Sequence, residues 1–354
     1  MTKKKRRKRA TVDQLVSLIG GCTAPQIRMF IEDQTGTKVR GSKEDALDEL
    51  RSMLVRKKIG HDEALRLGLS AEEEGKQYIF LFAPKTTDAR DWYLDPEEVA
   101  GGLFGGAIDP STAFPVFAEL PTGDAQWVDF RDSDVGAGVS WLAKLYVRYQ
   151  VVEKVPIPEV PNGFLDQEVD HCAVVTARFR KHPGGGKYLL DLRVSRVEHR
   201  RGHIEEVLAH FWANAVGGID EQDFAEYRLD KHLTRITEGE LEDGWEQFLV
   251  WDPGVVDSSG WAHQLTGKGR GAGRDKKDRL ASAPDRKKAL EALLESGTGR
   301  FPVNKLVLEW FGGSPMPNSD SRVYYGFRGV NSLLVGARLS REAISHVIWE
   351  TLSK

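Results

Sequence analysis

Cysteine is nearly absent. Cys22 and Cys172 are the two in 354 residues, too few for a disulfide framework or a four-cysteine zinc site, so a reducing compartment is expected. No apolar run approaches the ~18 residues of a membrane span. The first ten residues, MTKKKRRKRA, contain no apolar stretch of the secretory type. The expectation is an intracellular protein without a membrane partner, in cytoplasm or nucleoid, or in the nucleus of a eukaryotic host. Net charge is also scarce, at −3 from 50 basic and 53 acidic side chains. A 40% hydrophobic content excludes a disordered chain and leaves room for roughly two domains.

The small average conceals an uneven distribution. Residues 1–10 hold seven cations and no anion, residues 11–75 hold nine cations against twelve anions, and the remainder holds 34 against 41. Lys3, Lys4, Lys5, Arg6, Arg7, Lys8 and Arg9 form an unbroken basic block with nothing apolar to bury, so a disordered arm is expected. Such an arm can follow a phosphate backbone, releasing about one counterion per contact, and can serve as a nuclear localisation signal.

Helical periodicity follows. Val12, Leu15, Val16 and Ile19 fall on one face, as do Ile27, Phe30 and Ile31, and then Ala46, Leu47, Leu50 and Leu54. Thr11 with Gln14, Thr23 with Gln26 and Ser42 with Asp45 each supply an N-cap hydroxyl and an acceptor three residues on. The glycines and β-branched residues from Gln34 to Gly41 suit an extended loop. Gly36, four residues, Gly41, one residue and Lys43, followed by Ala46-Leu-Asp-Glu-Leu50, carry a resemblance. Residues 24–54 resemble the SAP-type helix, extended loop, helix motif, a small DNA-binding module. Ala46 stands where that family usually has a larger apolar residue. The resemblance implies duplex DNA contact. The residues suit it, since Lys38, Arg40, Gly41 and Lys43 would set cations and a helix N-terminus before a phosphate. The choice of DNA over RNA rests on this resemblance.

Residues 11–69 are thus expected to form a helical DNA-binding module, and the acidic segment Ser70-Ala-Glu-Glu-Glu-Gly75 a linker. Beyond it the period changes. Tyr78–Phe82, Lys144–Val155, Lys305–Trp310 and Arg322–Phe327 read as strands, and Phe114–Leu120 with Gln126–Phe130 as a hairpin. Cys172–Arg180 and Tyr188–Val197 form a second hairpin through His182-Pro-Gly-Gly-Gly186. Helices are expected on the face of Ile204, Val207, Leu208, Phe211, Trp212 and Ala215, and on that of Leu241, Trp245, Phe248 and Leu249 behind a Thr237/Glu240 box. Another should start at Ser340. Long hairpins without regular strand–helix alternation predict an α+β fold: a small N-terminal helical module, then a domain at 76–354 with a mainly antiparallel sheet and flanking helices.

A second basic element lies at 267–279 within that domain. Its Gly-Lys-Gly-Arg-Gly-Ala-Gly-Arg front half predicts a flexible loop, and Lys268, Arg270, Arg274, Lys276 and Lys277 offer a further nucleic-acid contact. Cofactor motifs fail. After Gly41 the order is Ser then Lys, the reverse of a P-loop, and the spacing from Gly267 does not fit a dinucleotide fingerprint. No cofactor is expected. Tyr324-Tyr-Gly-Phe-Arg-Gly329 resembles part of an RNA-recognition strand but lacks its leading basic-Gly pair. His199, His203, Glu206 and His210 form the one dense histidine group, without the spacing of a zinc hydrolase, and no metal is assigned. Acid-x-Lys occurs in linker, loop and helix-start positions, while Asp191 and Glu309 lie on strands without that lysine. No residue is assigned as catalytic.

The reading is a non-enzymatic DNA-binding protein whose α+β body binds a protein partner or adds DNA surface. One alternative is a nuclease-like enzyme targeted by the N-terminal module, with Asp191, Glu309 or the histidines in its site. Another is a protein-interaction adaptor that touches no nucleic acid.

Overall fold

Four helices come first: α1 (Val12–Ile19), α2 (Ala24–Thr35), α3 (Lys43–Val55) and α4 (His61–Glu73). They are followed by β1 (Gln77–Pro84), α5 (Thr87–Trp92), α6 (Pro96–Phe104), β2 (Ala125–Arg131), β3 (Val139–Pro156), β4 (Phe164–Lys181), β5 (Tyr188–Ser195) and α7 (Arg201–Ala215). Then come β6 (Phe224–Glu226), α8 (Asp230–Glu242), β7 (Phe248–Val250), β8 (Gly254–Val256), β9 (Ala262–Gln264), β10 (Val303–Trp310), β11 (Ser321–Tyr325), β12 (Ser332–Val335) and α9 (Arg341–Ser353). The fold is α+β. The structure is a computed structural model that describes residues 11–20, 22, 24–73, 76–105, 124–132, 138–156, 164–182, 185–195, 201–242, 247–250, 254–256, 262–264, 303–310, 312, 316, 321–326, 331–335 and 339–353. No helix among them is long and apolar enough to cross a membrane. The chain divides into two units: Met1–Glu74, Lys85–Arg180 and Leu192–Phe224 form the first, and Gly75–Pro84, Lys181–Asp191 and Ala225–Lys354 the second.

In the first unit two of the three expected caps are in place, and the third, at Thr23, lies outside the described residues. Thr11 and Gln14 close a capping box on α1, and Ser42 and Asp45 close one on α3. Leu15, Leu18, Ile19, Ile27, Ile31, Leu50 and Leu54 fill the core between the helices, each almost fully withdrawn from water. Burying such a side chain contributes about 1.5–3 kcal/mol. The fourth helix packs on α1 at Gly68, where an added Cβ would come within 2.1 Å of Leu18 Cδ2. Only glycine permits that approach.

The strands of this unit run β2, β3, β4 and then the Leu192–Ser195 half of β5. Between them, β3 and β4 pair antiparallel from Val139↔Arg180 to Pro156↔Phe164. Side chains alternate across a strand, so the two faces differ in kind. One face carries Trp141, Ala143, Leu145 and Val147 with Ala173, Val175, Ala177 and Phe179, all fully buried. There the Trp141 ring stacks between Phe130 and Phe179 at 6.0 and 5.9 Å. The opposite face holds Asp129, Arg131, Lys144, Thr176, Arg178 and Arg180, and it too is out of solvent over most of its extent.

In the second unit β1 pairs antiparallel with β12, β12 with β11, and β11 with β10, which in turn meets β8 and then β9. The short β6 lies on β1 and β7 on β10. Its core joins Ile79, Leu81, Leu233, Leu308, Trp310, Ile344 and Ile348. Ser340 caps α9 through Ala343 N at 3.1 Å.

Several sequence expectations are corrected. Residues 70–73 are not a linker but the last turn of α4, and Glu73 at its end is buried. Phe248 and Leu249 are not helical: they lie on β7, opposite Trp310 and Glu309 of β10. The helix there is α8, and Thr237 sits inside it, its hydroxyl donating to Leu233 O at 2.8 Å instead of capping. Pairing with β10 outweighs the helical spacing of those apolar residues. Gln126–Phe130 is a strand as expected, but its partner is β3; the other arm of the expected hairpin, 114–120, lies outside the described residues.

Candidate nucleic-acid interface

Between α2 and α3, residues 37–40 form a connection without helical or sheet hydrogen bonding. Its two ends are turned by glycines at φ +71° (Gly36) and +107° (Gly41), a region that costs any other residue strain. At Gly41 a Cβ would also fall 2.3 Å from Asp45 Oδ2. Both ends are tied down. Gly36 N donates to Glu32 O at 2.7 Å, and Arg28 of α2 donates through Nη2 to Gly41 O. Ser42 N donates to Asp45 Oδ2 at 2.7 Å. These Ser42 hydrogen bonds, backbone first and then side chain, hold the Asp45 carboxyl below its ordinary range.

The loop alternates like a strand. Val39 turns inward against the helical core, while Lys38 and Arg40 project into water. Lys38 makes one loose pair with Glu32 at 3.6 Å, its side chain 76% exposed. Arg40 pairs with no carboxylate among the described residues. Lys43 behaves differently: it is half-buried and its Nζ donates to Gly20 O at 2.5 Å, closing the C-terminal end of α1. Of the four expected contact residues described, two therefore face solvent, Gly41 makes the turn and Lys43 is a clamp. Arg56, Lys57 and Lys58 add three exposed cations in the turn closing α3. The basic arm Lys3–Arg9 and the loop cations Lys268, Arg270, Arg274, Lys276 and Lys277 lie outside the described residues.

No protein-family model, curated protein or solved structure matches this chain.

The other residues weighed from sequence lie on several separate elements, and His199 falls outside the described residues. His203 packs its ring on Tyr149 at 5.3 Å, and Glu206 is exposed. Glu309 faces Arg322 across the β10–β11 ladder at 3.5 Å. Tyr325 is buried, its hydroxyl 2.8 Å from Thr351 Oγ1, and burial raises its pKa. No three His, Cys, Asp or Glu side chains among the described residues gather as a metal site.

Two polar arrangements are absent from the sequence expectations. In the first unit, Glu73 accepts from Arg178 Nη2 at 2.8 Å and from Arg131 Nη2, and lies 3.0 Å from Lys144 Nζ. Arg131 also reaches Asp129 at 2.9 Å. Burial alone would raise the Glu73 pKa, but the three cations, Lys144 foremost, drive it far below the usual carboxylate range. In the second unit, Tyr227 Oη lies between His182 Nε2 (3.0 Å) and His232 Nε2 (2.9 Å). Burial and then the His182 charge depress the His232 pKa. The first of these left one trace in the sequence, the polar Thr176, Arg178 and Arg180 at alternating positions of an otherwise apolar stretch of β4.

Proposed function

We propose that the N-terminal helical module binds the backbone of duplex DNA, with Lys38 and Arg40 as its loop contacts and the Lys3–Arg9 arm as a second, sequence-independent contact. One observation carries this reading. The loop between the two helices holds Lys38 and Arg40 outward, is fixed at both ends, and spends no buried carboxylate on either. Outward cations two residues apart on a loop tied at both ends can meet phosphates and give position without base readout. Ser42 and Asp45 already occupy amides at the start of α3, so the side chains, more than the helix end, supply the attraction. Lys43 supports the site by fixing α3 to α1.

The body carries no assigned chemistry in this reading and serves a protein partner or further DNA surface. The test is a mobility shift at several salt concentrations with the intact chain, the Lys38→Ala/Arg40→Ala variant and a chain lacking residues 1–10. Each change should weaken binding and flatten its salt dependence. Cutting at residue 75 is a poor test, because it removes Glu73 from beneath the sheet. Equal binding by all three proteins would place the contact elsewhere, and no binding by the intact chain would favour an adaptor.

A further inference from the structure

The bridge of His182, Tyr227 and His232 joins three stretches of the second unit. His182 follows β4 at the hairpin turn, where its N donates to Lys187 O at 2.7 Å. Tyr227 lies between β6 and α8, its own N donating to Leu81 O of β1 at 2.9 Å, and His232 is in the first turn of α8. The Tyr227 and His232 rings are tilted by 26°, and the two imidazole centres are 6.4 Å apart. All three side chains are buried or half-buried.

This bridge has room for two protons, one along each hydrogen bond. The phenol carries a single O–H, so it donates to one imidazole and accepts from the Nε2–H of the other. One ring can therefore be cationic without disturbing either bond. A third proton enters only by turning the Tyr227 O–H out of the bridge, and two imidazolium rings would then face one oxygen. This holds whatever else His182 meets in the fold. His232 is the ring that resists protonation. Its Nδ1 is buried and has no hydrogen-bond partner among the described residues, so an imidazolium there would strand a donor away from water. Burial first, then the His182 charge, Arg235 on α8 and Lys187 on the turn, hold its pKa below the ordinary 6.5. The carboxylate that opposes them, Asp230, is shared with Arg228 at 3.2 Å.

We propose that His182, Tyr227 and His232 form an acid-sensitive latch, which fastens the β4–β5 turn to the start of α8 and is released when the second imidazole takes up a proton. Because the folded pKa of His232 is depressed, the latch is closed above about pH 6.5 and is lost as pH falls from there toward the folded pKa. Leu233 and Ile236 stay in the core, so the opening is local. The latch is independent of the Lys38/Arg40 loop.

The test is hydrogen exchange of the intact chain at about pH 7 and about pH 5, corrected for the intrinsic pH dependence of exchange, with the His232 ring titration followed by NMR. The informative amides are His182, bonded to Lys187 O, and Leu233, bonded to Leu229 O. Both should open at least about tenfold more often at the lower pH, the factor that one unit of pKa depression supplies, while α3 is unchanged. His232→Gln keeps an N–H for Tyr227 and cannot titrate, so it should exchange at the lower pH as slowly as at the higher. Tyr227→Phe lacks the bridge and should exchange fast at both. Should a variant fail to fold, the wild-type ring decides: His232 should titrate below 6.5, together with the opening. Equal wild-type exchange at the two pH values, acid opening of His232→Gln like that of wild type, slow exchange of Tyr227→Phe at the higher pH, or a His232 ring titrating at or above 6.5 overturns the proposal.

Discussion

On the loop between α2 and α3, Lys38 and Arg40 stand in water with Val39 turned into the helical core between them. On β3 and β4 of the same unit, Lys144 and Arg178 are fully buried around Glu73. The two regions use the same chemical groups to opposite ends. An exposed cation in high dielectric contributes little to stability and is free to meet a polyanion. A buried one is costly alone and becomes part of the fold through its counter-charge. Position, not residue type, separates surface available for binding from framework, and Lys43 shows the boundary, since it lies in the expected binding motif but bonds inward to Gly20 O.

The sharpest way to break this comparison is Glu73→Gln. Three cations would lose their shared carboxylate, and unfolding free energy should drop by about 3–5 kcal/mol, read from urea titration. A loss below about 1 kcal/mol would show that the sheet face does not depend on Glu73. The pH dependence has a defined sign. The folded pKa of Glu73 lies below its unfolded value, so its contribution is complete above about pH 4.3 and is lost progressively as pH falls from there toward the folded pKa. Wild type should therefore lose more stability than Glu73→Gln between pH 5 and pH 3 (on the order of a kcal/mol more).

Gly41→Ala comes next. A side chain at φ +107° beside Asp45 Oδ2 strains the turn and should cost roughly 1–3 kcal/mol, with weaker DNA binding although no charge has changed. Unaltered melting and binding would mean the loop geometry is not needed. Lys43→Met should cost about 1 kcal/mol through the lost bond to α1, yet affect DNA affinity less than Arg40→Ala does. The reverse ranking would make Lys43 a contact residue. Lys38→Ala and Arg40→Ala should change stability by no more than about 0.5 kcal/mol.

Much of this architecture is written locally. The capping boxes at Thr11 and Ser42, the inward stripe of α1 and the alternation along β3 are read from neighbouring residues, and each is where its spacing places it. What escaped was set by distant partners. Residues 70–73 look like a linker because they are acidic, but Glu73 meets Lys144 and Arg178 from strands far along the chain, and that pairing draws the helix end inward. Phe248 follows β10 and not its helical spacing for the same reason. In the candidate interface, the glycines and outward cations were visible in sequence, whereas the inward course of Lys43 depends on α1 ending beside it.

The central claim is that the exposed pair of loop cations, and not the buried set, meets DNA. Its most direct test is the slope of log affinity for a short duplex against log salt, measured for wild type and for Lys38→Ala/Arg40→Ala. The account predicts a slope shallower by about 2 in the variant with Tm unchanged. An identical slope and affinity in the two proteins would contradict it.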